Sequence, residues 1–312
     1  MIKEYVFPFI LLFVLGLIGD KFKLFVKTNK LDNDYMMVQK FLIGNKDLYF
    51  KSKPIIWIHL NNDIDNIKDT YLDLTIKSII NKCNNSFNIC LINDNDLSNL
   101  VNYNINLSYV GDPFKSKLRQ LLISKLLYNK GGILIPSSFI CLKDMVDIYN
   151  VNTSNNMMFV GEFINRSISS DIEDFYPNTK LIGCRKECNM MKLYIQYLEK
   201  IISNDNVDES NFLNSSGRWC KKMINKGYIN LISAQNIGVK DKYGKQVGID
   251  RLFKNSYIEF IDNINGIYFS NKELLNRTSL GWVYKLSSKD ILKSNTLFGK
   301  LILLSIANIN MI

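Results

Sequence analysis

The three-residue stretch Pro136-Ser137-Ser138 directly follows the apolar run "ILI" and the paired glycines Gly131 and Gly132. In proteins with a parallel sheet, ligands bind in the loops after the strands, so these side chains are candidates for chemistry. Serine hydroxyls donate and accept hydrogen bonds, whereas proline offers no side-chain donor or acceptor. Two hydroxyls without a carboxylate are poor ligands for Mg²⁺ or Mn²⁺. The loop therefore suits a polar ligand better than a hard divalent cation.

Polar side chains also follow two other apolar runs. His59 and Asn61 come at the end of "KPIIWIHL", and Asp94 follows "SFNICLI". Because the carboxyl ends of parallel strands meet at one edge of a sheet, we expect one shared site, with His59 near Asp94. A plainer interpretation is that polar residues follow strands because loops face water. His59 would then be an ordinary core residue bonded to a backbone carbonyl.

Three cations are crowded near the start of a predicted helix. Lys115, Lys117 and Arg119 lie in "DPFKSKLRQLLISKLLYNKGG", where leucines recur at helical spacing until two glycines end the pattern. Positive groups in this position attract anionic ligands. The alternative is a basic helix start that simply faces solvent.

The surrounding chain alternates strand-like and helix-like patterns. The runs "KPIIWIHL", "SFNICLI", "ILI" and "FICL" are typical of buried strands. Helical patterns separate the first three runs, first "NIKDTYLDLTIKSIINKC" and then the helix with the basic start. This order favours an α/β fold with a mainly parallel sheet flanked by helices.

The pattern is weaker beyond residue 150. "MMFVGEF", "GYINLI", "YIEFI" and "GIYFS" are strand-like, and "CNMMKLYIQYLEKIIS" is helical. Since no linker rich in Pro, Gly or Ser interrupts the chain, we predict one domain over residues 53–312. Glu162, Asp208 and Glu209 are carboxylates in predicted loops, but no pattern connects them to the site, so the sequence names no catalytic base.

The amino-acid composition and the net charge indicate which kinds of ligand the protein can bind. The 312 residues are 47% hydrophobic and carry a formal net charge of +10, which favours a folded core and anionic ligands such as sugar nucleotides, nucleic acid or acidic lipid. No zinc-finger or aromatic-basic motif occurs, so nucleic acid is not expected as a partner. The six cysteines are scattered without metal-ligand spacing, which predicts reduced, buried thiols and a cytosolic face.

The N-terminal run Tyr5–Gly19 has no charged residue. As a helix this run would span about 22 Å, which is shorter than the roughly 30 Å hydrocarbon core of a membrane. The apolar character continues past Lys21 and Lys23, however, and these two side chains can extend to the membrane interface. One alternative is a cleaved signal peptide, but the sequence after the run has no convincing cleavage site. Another alternative is a buried helix. We predict a single-pass membrane anchor over residues 1–27 and a tether over residues 28–52.

Lysines set the predicted orientation of that anchor. Lys21, Lys23, Lys27 and Lys30 follow the apolar run, which places the main domain on the cytosolic side or at a viral membrane. The C-terminal run "LFGKLILLSIANINMI" is interrupted by Lys300, so we expect an amphipathic helix packed on the domain or on a membrane surface.

The stretch from Pro54 to Asp144 resembles the DXD-containing glycosyltransferases of the capsular-polysaccharide and mannosyltransferase-subunit type. The resemblance covers about a third of the chain and rests on "KPIIWIHL", on "SIINKCNNSFNICLINDND" and on "LLISKLLYNKGGILIPSSF". The chain most resembles the branch of this family found in large DNA viruses. The C-terminal stretch "GIYFSNKELLNRTSLGWVYKLS" also resembles that branch. The resemblance implies a GT-A fold and a nucleotide-sugar substrate.

The resemblance also assigns roles to positions. In the family an Asp after the second strand binds the nucleobase or ribose, and Asp94 lies in that loop. A Ser-Asp-x-x-Arg run in the next helix contributes to the nucleotide-sugar site; its positions here are 119–123, and both its Asp and its Arg are missing. The DXD carboxylates, which hold Mn²⁺ or Mg²⁺ against the diphosphate, are replaced by residues 136–138. GT-A enzymes that work without a metal ion stabilise the diphosphate with Lys, Arg or helix amides, so the resemblance makes Lys115, Lys117 and Arg119 candidates for that role. The predicted nucleotide-sugar site therefore needs no divalent metal and consists of His59, Asn61, Asp94, Lys115, Lys117, Arg119, Ser137 and Ser138.

Two functions follow from these patterns. The first is a membrane-anchored glycosyltransferase that transfers a sugar from a nucleotide-sugar donor to an unidentified glycan or protein acceptor without a DXD-bound metal. The second is a catalytically inactive GT-A-like protein with a structural or scaffolding role at a viral membrane or in a virion. The fold that the patterns predict and Asp94 favour the first, and the missing carboxylates favour the second.

Overall fold

The computed structural model describes residues 53–60, 67–103, 105–163, 176–203 and 209–306. The predicted anchor (1–27), the predicted tether (28–52) and Asn61 lie outside the described residues. Within the ranges described, no helix combines the length and the apolar character needed to cross a membrane.

Strands and helices alternate through the first half of this region. The strands are β1 (Ile55–His59), β2 (Asn88–Ile92), β3 (Gly132–Leu134), β4 (Phe139–Cys141), β5 (Met158–Glu162), β6 (Pro177–Cys184), β7 (Ile229–Ile232) and β8 (Gly266–Tyr268). The helices are α1 (Tyr71–Cys83), α2 (Asp94–Leu100), α3 (Phe114–Lys130), α4 (Val146–Asn152), α5 (Asn189–Ser203), α6 (Glu209–Asn225), α7 (Ile249–Leu252), α8 (Asn271–Asn276), α9 (Ser288–Lys293) and α10 (Leu297–Ile306).

A six-stranded sheet in the order β2-β1-β3-β6-β5-β7 forms the centre, and β4 and β8 form a separate two-stranded antiparallel sheet. Strand β1 pairs in parallel with both β2 and β3, which confirms the three parallel strands predicted from sequence. The register places His59 opposite Ile92, so β1 and β2 end together. The carboxyl ends of these strands therefore share one edge of the sheet.

The central strands are buried because their sequences are apolar on both faces. Ile55, Ile56, Trp57 and Ile58 of β1 are all at most 3% exposed, as expected for a parallel strand covered on both sides. Helix α1 packs against β4 and α10, and α3 packs against α5. The sheet is thus flanked by helices, which is the α/β arrangement that the alternating pattern predicts.

The paired glycines allow α3 to end and β3 to begin without a connecting loop. Gly131 and Gly132 have φ angles of 70° and 104°, which side chains rarely permit. A Cβ atom on Gly132 would lie 2.2 Å from the Ile55 carbonyl oxygen. The Trp57 indole nitrogen donates a hydrogen bond of 2.9 Å to the Gly131 carbonyl, which fixes the turn against β1.

The second half of the sheet differs from the sequence expectation. Strand β6 was not predicted, yet it joins β3 and β5 through antiparallel pairing. The strand predicted at "YIEFI" is wrong, because residues 257–261 form no regular ladder. Ile258 is buried in the core there and Phe260 packs against the same cluster, while Tyr257 is 80% exposed. Two inward side chains at alternate positions of a loop produced the strand-like pattern.

The C-terminal helix α10 packs on the domain, as one of the two expected alternatives. Phe298, Leu301 and Ile302 are buried in a cluster with side chains from α1, β4 and β8. Leu303 and Leu304 point outward and are 48% and 68% exposed. All six cysteines are buried and free, which agrees with the prediction of reduced thiols.

Candidate functional site

A cleft of about 690 Å³ opens at the carboxyl ends of β1 and β3. Helix α3, strand β6 and helix α8 form its other walls. Of the predicted residues, five line it: His59, Lys117, Arg119, Ser137 and Ser138. Asp94 connects to it through His59 and Arg119, and Lys115 approaches Asp94. The structure therefore brings together the described members of the predicted site.

Asp94 lies at the centre of a charged cluster beside this cleft. His59 Nε2 is 2.8 Å from Asp94 Oδ1, which confirms the predicted proximity. Arg119 donates from Nε to Oδ1 and from its terminal nitrogen to Oδ2, both at 2.7 Å. The Lys115 ammonium lies 3.9 Å from Oδ2. The Asp94 carboxylate is thus held by a two-point arginine contact and by an imidazole.

The sequence around Asp94 holds its carboxylate in place. Asp94 is the first residue of α2, and the predicted acidic loop is the start of this helix. Asn93 caps the helix by accepting from the Asp96 amide, and the Asp96 side chain accepts from the Asn93 amide. This reciprocal cap fixes the turn after β2. Asp94 is therefore held by backbone geometry as well as by its partners.

The cluster perturbs the pKa values of its members. Burial acts to raise the pKa of Asp94, but the hydrogen bonds from His59 and Arg119 and the Arg119 charge outweigh it, so the pKa lies well below its usual range. Burial lowers the pKa of His59 below 6.5, and its hydrogen bond to Asp94 only partly opposes that shift. At neutral pH the imidazole is therefore neutral and donates from Nε2 to an ionised carboxylate.

Lys117 does not belong to a solvated helix start. Its side chain is buried, and its ammonium donates to the Ser215 and Ser216 hydroxyls, both at 3.0 Å. Burial lowers the pKa of Lys117 to about 8. The solvent-facing alternative is therefore wrong for this residue. Lys117 stays protonated at pH 7 and contributes a positive charge at the floor of the cleft.

A polar network beside Lys117 was not predicted. Gln120 donates to the Thr179 hydroxyl and accepts from the Ser216 hydroxyl at 2.7 Å. It therefore connects α3 with β6 and α6 across the cleft floor. Gln120 occupies the Asp position of the family run Ser-Asp-x-x-Arg, which is the sequence signal that could have identified it. No local pattern distinguishes Thr179 or Ser216.

The loop of residues 136–138 is hydrogen-bonded to other parts of the fold. The Ser138 hydroxyl is buried and donates to the Phe269 carbonyl oxygen at 2.7 Å. The Ser137 carbonyl oxygen accepts from the Thr75 hydroxyl at 2.6 Å. The Ser137 side chain is partly exposed and lines the cleft. Of the two predicted hydroxyls, Ser138 donates to the protein itself, and the Ser137 hydroxyl is directed to the cleft.

The donor set does not fit the divalent cation that the family resemblance implies. Pro136 supplies no ligand, Ser138 is committed to Phe269, and Ser137 offers one neutral hydroxyl. Mg²⁺ and Mn²⁺ require several oxygen ligands, with carboxylates among them. Across the described ranges, no group of three His, Cys, Asp or Glu side chains could hold a metal ion.

Two lysines at the cleft wall were missed by the sequence analysis. Lys180 of β6 and Lys272 of α8 are exposed and line the cleft. Nothing in "NTK" or "SNKELL" distinguishes them from the other lysines of a basic chain. Their place in the site depends on strand β6 and on a helix more than a hundred residues after β3, which local patterns do not bring together.

The carboxylates near the cleft have separate partners. Asp112 is the one carboxylate among the described lining residues, and it accepts from the Ser116 hydroxyl at 2.6 Å. Glu162, at the end of β5, accepts from the Lys240 ammonium at 2.6 Å and from the Ala234 amide at 3.0 Å. Glu162 thus has a structural ion pair, and Asp208 lies outside the described residues.

No protein-family model matches the chain, and no curated protein does. Among solved structures, the glycosyltransferase GlyE of Streptococcus pneumoniae TIGR4 is similar at 14% identity with a TM-score of 0.41, over 78% of this chain and 62% of GlyE. The galactosyltransferase LgtC, solved with donor and acceptor sugar analogues, is similar at 10% identity with a TM-score of 0.40, over 80% and 95%.

A glycosyltransferase involved in glycosylation of the major capsid of PBCV-1 is similar at 10% identity with a TM-score of 0.38, over 60% of this chain and 84% of that one. The apo form of GlyE is matched over only 46% of its own length. This chain therefore spans between 46% and 62% of the length of the two GlyE structures.

Proposed function

We propose that this protein is a GT-A-type glycosyltransferase-like protein that binds a nucleotide sugar in the cleft without a DXD-bound metal ion. The observation that carries the proposal is the Asp94 cluster, in which His59 and Arg119 both contact Asp94 and both line the cleft. This cluster lies at the carboxyl ends of parallel strands, where open α/β sheets bind ligands.

The geometry revises the role of Asp94. The family resemblance implies that this carboxylate binds the nucleobase or ribose directly. Here its oxygens already accept one hydrogen bond from His59 and two from Arg119. We therefore assign Asp94 a positioning role: it orients Arg119 and keeps the His59 imidazole in one tautomer. Arg119 and His59 then present their remaining polar atoms and their planar faces to the nucleoside.

Positive charge in the cleft supports an anionic ligand. Lys117 lies at the floor and stays protonated near neutral pH because burial lowers its pKa only to about 8. Arg119, Lys180 and Lys272 also line the cleft, and among the described lining residues the one carboxylate is that of Asp112. Fixed cations in a partly buried cleft can stabilise a diphosphate without a metal ion. The substrate that this charge balance favours is a nucleoside diphosphate sugar.

Calorimetry with UDP- and GDP-sugars, with Mn²⁺ or with EDTA, tests this proposal. We expect binding that EDTA does not abolish and that weakens as salt is added. Arg119→Ala should reduce affinity by roughly tenfold, because it removes a charged hydrogen-bonding group and leaves Asp94 to repel the ligand. Arg185→Ala, a change outside the cleft, serves as the control. Binding that requires Mn²⁺ would contradict the metal-free site.

One observation favours the second function, a catalytically inactive scaffold. The Ser138 hydroxyl is bonded to Phe269 and the Asp94 carboxylate to Arg119, so two polar groups of the site serve the fold itself. The scaffold proposal predicts that no nucleotide sugar binds under any of the conditions above. The same calorimetric panel therefore decides between the two functions. Membrane anchoring and a cytosolic orientation stay predictions that accompany either function.

A further inference from the structure

A second cleft of about 440 Å³ lies next to the first. The two clefts share one wall, formed by Asn178 and Lys180 of β6, Tyr268 of β8, and Lys272 and Asn276 of α8. The ring of Tyr268 stacks on Phe163 with centroids 4.1 Å apart and planes 3° apart. Lys180 reaches the Tyr268 hydroxyl at 3.5 Å. An extended ligand that crosses this wall would occupy both clefts.

The other cations around the two clefts are already paired. Arg119 is bonded to Asp94, and Arg277, in the second cleft, is bonded to Asp250 and to Glu273. Lys117 is buried under two serine hydroxyls. Lys180 and Lys272 are exposed, and neither pairs with a carboxylate in the described part of the chain. They are therefore the cations of the shared wall whose charge is available to a ligand.

We propose that Lys180 and Lys272 bind the diphosphate of the nucleotide sugar at the boundary between the two clefts. Two ammonium groups supply the same total charge as the divalent cation that Pro136, Ser137 and Ser138 cannot hold. Lysine binds phosphate as a mobile point charge, so the pair needs no rigid coordination geometry. This inference rests on the proposed function, because it assumes that the nucleoside lies against His59 and Arg119.

This placement assigns the two clefts to two parts of the ligand. With the diphosphate on the shared wall, the nucleoside occupies the first cleft and the sugar extends into the second. The stacked rings of Phe163 and Tyr268 offer the sugar an apolar surface beside the lysines. The earlier assignment of the diphosphate to Lys115, Lys117 and Arg119 is then replaced. Lys115 and Arg119 lie against the Asp94 carboxylate, and Lys117 contributes its positive charge at the floor of the first cleft.

Calorimetry with uridine, UMP and UDP, and with guanosine, GMP and GDP, tests the pair in the presence of EDTA. The wild-type full chain should bind the diphosphate more tightly than the nucleoside of the same base. The double variant K180Q/K272Q should lose roughly tenfold or more in diphosphate affinity, while nucleoside affinity stays unchanged. Both lysines are exposed, so the variant should melt at the wild-type temperature.

The charge-matched control is K130Q/K226Q, which removes two exposed lysines that line neither cleft. It should retain full diphosphate affinity. Equal losses in the two double variants would mean a general charge effect and would overturn the assignment. An unchanged diphosphate affinity in K180Q/K272Q would overturn it while leaving the proposed function intact. A wild-type chain that binds none of the six compounds would overturn the proposed function and the lysine pair together.

Discussion

Three basic residues that are close in sequence have different environments on helix α3. Lys115 and Arg119 are four positions apart and lie on one face, where both approach Asp94. Lys117 lies between them in sequence, but a helix turns about 100° per residue, so two positions carry it to the opposite side. Its ammonium is directed at Ser215 and Ser216 of α6. A single basic cluster in the sequence is therefore two separate groups in the fold.

The buried ammonium of Lys117 predicts an alkaline dependence of stability. Its pKa falls from 10.5 in the unfolded chain to about 8 in the folded protein, so the unfolded state binds more protons between these values. Relative to Lys117→Met, the wild-type free energy of unfolding should rise from pH 8 to pH 10.5, by up to about 3 kcal/mol. Paired urea titrations across this range measure the difference.

Lys130→Met is the matched control for that experiment, because Lys130 is an exposed lysine at the other end of α3. Its difference from the wild type should not change over the same pH range. A flat difference for Lys117→Met as well would show that the Lys117 ammonium is solvated in the folded protein. The buried contacts with the two serines would then be wrong.

At the scale of elements, the sequence predicted the half of the sheet whose strands follow one another through short helical connections. The spacing of apolar residues predicts strands β1, β2 and β3 and helices α1 and α3. The carboxyl ends of parallel strands lie at one edge of the sheet, and this predicts the approach of His59 to Asp94. Each of these features depends on local spacing and on the handed connection between neighbouring elements.

The far wall of the site could not be predicted in the same way. Strand β6 contributes Thr179 and Lys180, and helix α8 contributes Lys272, through contacts between segments far apart in sequence. The Ser138 bond to Phe269 spans 131 residues. Local periodicity carries no information about such pairings. The predicted site therefore contained the nucleoside side of the cleft and lacked the wall assigned to the diphosphate.

The junction between α3 and β3 gives a prediction about element packing. Gly132→Ala would place a Cβ 2.2 Å from the Ile55 carbonyl oxygen at a φ of 104°. Because backbone atoms of β1 must move to relieve this contact, we expect a loss of about 3 kcal/mol or more in the free energy of unfolding. Chemical denaturation measures it.

Gly227→Ala is the control for conformational strain without a steric contact. Gly227 also has a positive φ, of 76°, but an added Cβ would meet no atom within 4 Å. This variant should lose only about 1 kcal/mol. Similar losses at the two positions would show that β1 and β3 are not in close contact at Gly132.

At the scale of the whole molecule, the predicted anchor gives a test that is independent of the site. Residues 5–26 are expected to hold the chain in a membrane, while the described domain carries its own core. Deleting residues 5–26 should move the protein from the membrane pellet to the supernatant in high salt. Deleting residues 28–49, a segment of equal length, should leave it in the pellet. A 5–26 deletion that still pellets in high salt would contradict the anchor.

The bond from Ser138 to Phe269 also bears on evolutionary reversibility. Placing a carboxylate at this position by Ser138→Asp would bury a negative charge against a carbonyl oxygen, which costs several kcal/mol without a compensating cation. Any lineage that reaches this arrangement from a metal-binding ancestor cannot step back through that residue alone, because the C-terminal segment would have to withdraw first. In such a lineage the hydrogen bond to Phe269, and not ligand binding, would keep serine at position 138.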